Sequence, residues 1–123
     1  MHTCRFGKNA DKAEPERFYH GFVLGLMVDL ADKYRITSNR ESGLGRYDIM
    51  LEPLEENKRA YVIEFKVHKA KREKNLEETA QNALQQIVER NYDAELLTRG
   101  IRKEDIRHLG FAFSGKTVLI EQE

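Results

Sequence analysis

Cysteine is almost missing from this chain. Cys4 is the only one among 123 residues, which rules out an internal disulfide and a cysteine-rich zinc site. A reducing, cytoplasmic compartment is the simple expectation. Net charge is missing too, because 21 basic residues cancel 21 acidic ones. A chain that gripped polyanions tightly and unaided would usually be basic. Neutrality speaks against that behaviour, but leaves room for a basic rim around an acidic site. No apolar run approaches the roughly 20 residues that a membrane span needs. The N-terminus is polar and charged through Arg17, so no signal peptide is expected either. No repeat or low-complexity segment appears. What is present suits one domain with a single core.

Residues 1–14 show no apolar period and are expected to be a flexible leader, the remnant of a linker to something upstream. Pro15 suits the first turn of a helix, where its missing N–H does no harm. A helix is predicted from Glu16 to Tyr34. Phe18, Phe22, Leu26 and Leu30 recur every four residues, and Tyr19, Val23, Met27 and Tyr34 widen the apolar arc. Gly21 and Gly25 cost helix propensity, which suggests close approach of a neighbouring backbone. Glu16 and His20 fall at the edge of the buried face. Glu16 either reaches a site from the helix start or complements the helix dipole. His20 is either functional or a satisfied, half-buried histidine.

Ile36 to Arg40 reads as a first strand. Gly43 and Gly45 make a turn. They lack the third glycine and the following helix of a phosphate-binding loop. Arg46-Tyr47-Asp48-Ile49-Met50-Leu51 and Tyr61-Val62-Ile63-Glu64-Phe65-Lys66-Val67 read as two more strands, joined through the turn-rich stretch from Pro53 to Lys58 as a hairpin. Alternation puts Glu64 and Lys66 on one face and Ile63, Phe65 and Val67 on the other. In a hairpin Asp48 can lie beside Glu64. Two carboxylates on a half-buried sheet repel and lose solvation. A divalent cation removes both penalties, and Mg²⁺ favours one or two carboxylates with waters and a phosphate oxygen. A lysine beside it would hold phosphate or help deprotonate a water. That is the chemistry of metal-assisted phosphodiester hydrolysis. Cross-strand salt bridging is the plainer alternative for the same three residues.

Lys69, Lys71, Arg72 and Lys74 follow, with Glu73 as the lone acid among them. They form either a phosphate-contacting edge or a solvated loop. A second helix is predicted from Leu76 to Asn91, with Leu76, Ala80, Ala83, Leu84 and Ile87 as its apolar stripe. Gln86 flanks that stripe and faces the sheet, either towards the site or satisfied by backbone. Gln85 faces water. Tyr92 to Gly100 reads as a short helical turn. Arg107 to Phe113 and Thr117 to Ile120 form a closing antiparallel hairpin.

Several groups of residues together carry a family resemblance. They are Phe18-Tyr19-His20-Gly21-Phe22-Val23-Leu24-Gly25-Leu26, Ser38-Asn39-Arg40-Glu41-Ser42-Gly43, Gly45-Arg46-Tyr47-Asp48, Ile63-Glu64-Phe65-Lys66, Ala83-Leu84-Gln85-Gln86-Ile87 with Tyr92, and Gly110-Phe111-Ala112-Phe113-Ser114-Gly115-Lys116. The chain resembles the PD-(D/E)XK nuclease superfamily over about residues 16–120. Within it, the chain is most similar to the nuclease-like domain found C-terminal to AAA-type ATPase-like domains in bacterial proteins. The resemblance implies an α/β fold over residues 15–123. That fold is a restriction-endonuclease-like core with a mixed central sheet flanked by helices, in the order αβββαββ. It implies Asp48 and Glu64 as metal ligands, with Glu16 as a helix-borne acid that joins them. Lys66 would position the phosphate or the attacking water. Gln86, with Tyr92 behind it, would match the glutamine-tyrosine element of the exonuclease and resolvase-like branches. The proline that names the superfamily is absent, and Tyr47 precedes Asp48.

Mg²⁺ or Mn²⁺ is the expected cofactor and DNA the expected substrate. Lys69, Lys71, Arg72, Lys74 and Arg46 are the expected nucleic-acid contacts, and Tyr92 and His20 support the site. An ATPase-like partner and a homodimer are further expectations. Two other functions compete with a metal-dependent deoxyribonuclease. One is a silent nucleic-acid-binding or interaction module. The other is a structural domain that serves an ATPase-like partner.

Overall fold

Alternation of apolar residues along five runs, and one four-residue edge strand, build a single sheet. A computed structural model describes residues 2–5, 14–41 and 46–123. The strands are β1 (His2–Arg5), β2 (Tyr34–Glu41), β3 (Arg46–Pro53), β4 (Ala60–Val67), β5 (Ile106–Ser114) and β6 (Thr117–Gln122). Their order across the sheet is β1-β6-β5-β4-β3-β2. All neighbours are antiparallel except β4 and β5, which run parallel. A parallel pair needs a crossover. Here it carries α2 (Leu76–Arg90), α3 (Asp93–Thr98) and a 3-10 turn at Lys103–Asp105. Helix α1 (Glu14–Leu30) precedes β2. The restriction-endonuclease-like order expected from the sequence, helix, three strands, helix, two strands, is present, with β1 and α3 added.

The two helices cover opposite faces. Ile49, Leu51, Ile63, Phe65, Phe111, Phe113 and Val118 form one core with Val23 of α1, and Phe18, Phe22, Leu26, Met27 and Leu30 pack against it. Phe22 meets Phe113 edge-on at 5.4 Å between ring centroids, a favoured aromatic arrangement. Met50, Val62 and Ile106 turn to the other face and pack with Leu84 and Ile87 of α2 and Leu96 of α3. Asn75 caps α2: its side chain accepts a hydrogen bond from the Glu78 N–H at 2.9 Å. Asn91 ends α2 in the left-handed region, at φ 52° and ψ 46°.

Three expectations are corrected. His2–Arg5 was read as part of a flexible leader. It forms an edge strand, with Cys4 opposite Val118 of β6. Backbone ladder bonds do not depend on side-chain type, so four residues without a period left no signal. The first helix stops at Leu30 rather than Tyr34. Tyr34 opens β2 and still packs on the α1-side core, so its place in the four-residue period was satisfied from a strand. Gly21 and Gly25 are exposed, and an added Cβ at either would meet nothing within 4 Å among the described residues. The close approach lies at Gly110 of β5, where a Cβ would stand 2.6 Å from the Ala80 carbonyl oxygen and 3.1 Å from Leu84 Cγ. Gly43 and Gly45 lie outside the described residues.

Helix α2 therefore sits on the sheet through a glycine. Gly110→Ala should force the helix outward and cost about 1–3 kcal/mol, the usual range for overpacking. Urea unfolding of the two proteins measures it. Equal midpoints would mean that α2 shifts without loss.

Candidate active site

Register decides what this site contains. Asp48 of β3 is paired with Glu64 of β4, and Glu64 is paired in turn with Gly110 of β5. Met50 and Val62, two residues from Asp48 and Glu64, pack against α2. Alternation then places Asp48, Glu64 and Lys66 on the α2 face. Glu64 is fully buried and Asp48 is 6% exposed. The lack of a side chain at Gly110 lets α2 lie directly over this part of the sheet.

Asp48 is held by the end of α2. Its Oδ2 accepts a hydrogen bond from the Tyr92 hydroxyl at 2.7 Å and another from Arg90 Nη1 at 3.1 Å. Arg90 Nη1 also donates to the Tyr92 oxygen at 3.1 Å. Burial raises the Tyr92 phenol above its ordinary value. The neighbouring Asp48 adds to that rise, and Arg90 opposes it. The phenol stays protonated and donates. A cleft of about 200 Å³ opens beside Asp48, lined also by Thr37, Ile49, Met50, Val62, Tyr92 and Glu95. Tyr92→Phe should remove a charge-assisted bond and cost about 1.5–3 kcal/mol, read by thermal or urea unfolding. No loss would mean that the remaining contacts of Asp48, Arg90 among them, suffice to hold it.

Lys66 is half-buried, and its Nζ lies 3.7 Å from Glu73 Oε2. Glu73 is the acid of the basic run, and it is turned inward while Lys69, Lys71, Arg72 and Lys74 are exposed. Its carboxylate accepts hydrogen bonds from the Lys69 N–H at 2.9 Å, the Thr79 hydroxyl at 2.9 Å and Asn82 Nδ2 at 3.0 Å. Burial alone would push its pKa up. The bonds from Lys69, Asn82 and Thr79, with the Lys66 charge, outweigh burial and hold it below the ordinary value. Glu73 is thus an ionised carboxylate inside the fold.

The predicted residues divide clearly. Asp48, Glu64 and Lys66 share one face, and Tyr92 touches Asp48 directly. Gln86 is half-buried and Gln85 exposed, donating to Glu89 at 3.1 Å. The four basic side chains after β4 are solvated, as either of their readings requires. Glu16, His20 and Arg46 stand on α1 and β3, but their side chains lie outside the described residues. The sequence reading missed Arg90, Glu73 and Thr79. Arg90 had a faint signal, four residues after Gln86 and two before Tyr92. Glu73 had one as the single acid in a basic run. Thr79 had one as a polar residue adjoining the apolar stripe.

The donor chemistry can be tested against a cation. Mg²⁺ and Mn²⁺ prefer hard oxygen ligands, and Mg²⁺ is often held by only one or two carboxylates. Asp48 and Glu64 meet that requirement. Glu64 Oε1 is buried and accepts no hydrogen bond from the described residues, while the side chain has interactions elsewhere. Among the described residues no three His, Cys, Asp or Glu side chains converge. A structural zinc site, which needs four ligands, therefore does not fit them. No described helix is long and apolar enough to cross a membrane.

No curated protein and no solved structure matches the chain. A family model, described as the PD-(D/E)XK nuclease superfamily, matches residues 14–123. Members of that superfamily generally hydrolyse phosphodiester bonds and typically use divalent metals. By a match over nearly its whole length, this chain belongs to the PD-(D/E)XK nuclease superfamily.

Proposed function

We propose that this protein is a metal-dependent nuclease that hydrolyses phosphodiester bonds of DNA. The observation that carries the reading is the register: Asp48 lies opposite Glu64 on one face, with Lys66 two residues on. Asp48 and Glu64 would hold Mg²⁺ or Mn²⁺, with Glu16 as a further ligand from α1. When bound, the cation supplies positive charge at a phosphate oxygen and makes a water more acidic. The protein's own residues do the rest. Tyr92 and Arg90 fix the Asp48 carboxylate. Lys66 offers a compact cation to the scissile phosphate. Gln86 flanks the site from α2. Exposed Lys69, Lys71, Arg72 and Lys74, with Arg46, form the edge that meets the DNA backbone. Helix α2 excludes bulk water over Glu64, which strengthens each charge beneath it. The lone Cys4 supports the cytoplasm as its working place.

One set of contacts favours a second reading. Asp48 is paired with Arg90, and Lys66 with Glu73. A catalytically silent module that works with an ATPase-like partner would use the same polar residues as an internal network. Cleavage decides between the two. Supercoiled, linear, single-stranded and branched DNA, and RNA, are incubated with Mg²⁺ or Mn²⁺, with chelator and Glu64→Ala controls. Metal-dependent cutting of DNA that Glu64→Ala abolishes is the expected result. Binding of DNA with no cutting would overturn the nuclease reading and leave the silent module.

A further inference from the structure

We infer that Glu73 is a positioning residue that fixes the ammonium of Lys66. The inference rests on the nuclease reading above and deepens it. Lysine reaches its target on four flexible carbons, so a lysine that acts at one phosphate needs something to limit its rotamers. Glu73 is the one described partner placed for that task. Its Oε2 lies 3.7 Å from Lys66 Nζ.

The carboxylate itself cannot wander. The Lys69 N–H and the Thr79 hydroxyl donate to Oε1, and Asn82 Nδ2 donates to Oε2. The Thr79 hydroxyl has one proton, and donating it to Glu73 obliges His68 Nδ1, at 2.7 Å, to donate to Thr79. This chain of donors runs from His68 through Thr79 to Glu73, and the carboxylate then meets Lys66. Thr79 and Asn82 belong to α2, so the position of Lys66 is referred to that helix. A residue that only organised the loop would not need an oxygen turned to the strand lysine. Glu73 does both: it folds 69–74 back on itself and presents one oxygen to Lys66.

The two roles separate in a double-mutant cycle. Glu73→Gln keeps the shape of the side chain and its Oε1 acceptor, but removes the charge that holds Lys66. Single-turnover cleavage and DNA affinity are measured for wild type, Glu73→Gln, Lys66→Ala and the double variant. Urea unfolding of the same four proteins gives coupling without reference to activity. Glu73→Gln should slow cleavage about tenfold with DNA affinity nearly unchanged, a coupling within the range seen for interacting pairs. It should have no further effect once Lys66 is alanine. The stability losses should likewise be non-additive. Asn82→Ala removes the donor to Oε2, the oxygen that meets Lys66, and leaves Glu73 in place. It serves if Glu73→Gln does not fold, and should show the same dependence on Lys66 at smaller amplitude.

Additive effects on rate, or a Glu73→Gln enzyme as fast as wild type, would overturn the inference while Lys66→Ala remained slow and the nuclease reading stood. Wild type that cuts no nucleic acid would bring down the nuclease reading and this inference with it.

Discussion

Asp48→Asn is expected to abolish cleavage while leaving the protein folded. The substitution keeps the size of the side chain and an oxygen that can accept from Tyr92. It removes the negative charge at the point where β3 and β4 set two carboxylates side by side. Loss of a ligand should exceed the 10–100-fold typical of losing a residue behind a ligand, so divalent affinity should fall by about 100-fold or more. Electrostatic stabilisation by a bound cation amounts to several kcal/mol, so the rate should fall by about 10³-fold. Calorimetry with Mn²⁺ measures the affinity, and a single-turnover assay the rate. Arg90 loses the Asp48 charge in this variant, but its side chain is about a quarter exposed, at 26%, and water can take the place of that carboxylate. Undiminished Mn²⁺ binding would remove Asp48 from the site.

Lys66→Ala should separate catalysis from metal binding. A phosphate gains negative charge as the attack proceeds, so a fixed cation stabilises the transition state more than the ground state. Turnover should drop by about 10²-fold or more, comparable to loss of an oxyanion donor, and DNA affinity should change little. Mn²⁺ affinity should hold or rise, because a positive charge near the carboxylates is gone. Lys66→Arg should rescue only in part. A planar fork does not replace a compact ammonium, and it cannot act as a base near neutral pH. The test is a paired measurement of Mn²⁺ affinity and single-turnover rate on the three proteins. Wild-type cleavage by Lys66→Ala would reduce Lys66 to the ion-pair partner of Glu73.

The site face was legible because period-two alternation is a strong constraint. Parity put Glu64 and Lys66 on one face and allowed a hairpin to set Asp48 beside them; the register of β3 on β4 then decided it. The faces of α2 were legible from the 3.6-residue period: its stripe separated Gln86 from Gln85. Several features were not legible, and each depends on contacts distant in sequence. Arg90 reaches Asp48 across 42 residues, and no local pattern marks such a pairing. Glu73 turns inward because Thr79 and Asn82 wait on the next helix. In the sequence it is one acid among bases. The role of Gly110 depends on how closely α2 lies on the sheet. Gly21, Gly25 and Gly110 all fall inside predicted elements, and glycine is the more costly in a helix, which points to the wrong two. β1 is held by backbone pairing, to which composition is blind.

Arg90 and Tyr92 reach one carboxylate from either side of Asn91, whose left-handed backbone reverses the chain at the end of α2. Asparagine tolerates that conformation better than most residues. Helix ends are the first part of a helix to fray, and local openings occur in cooperative pieces at far less than the global unfolding free energy. Fraying of this one turn withdraws both donors together. The two donors to Asp48 are therefore tied to one turn of chain rather than held independently. With the turn closed, part of its charge is spent on these two donors; opening the turn would return that part to whatever enters the cleft.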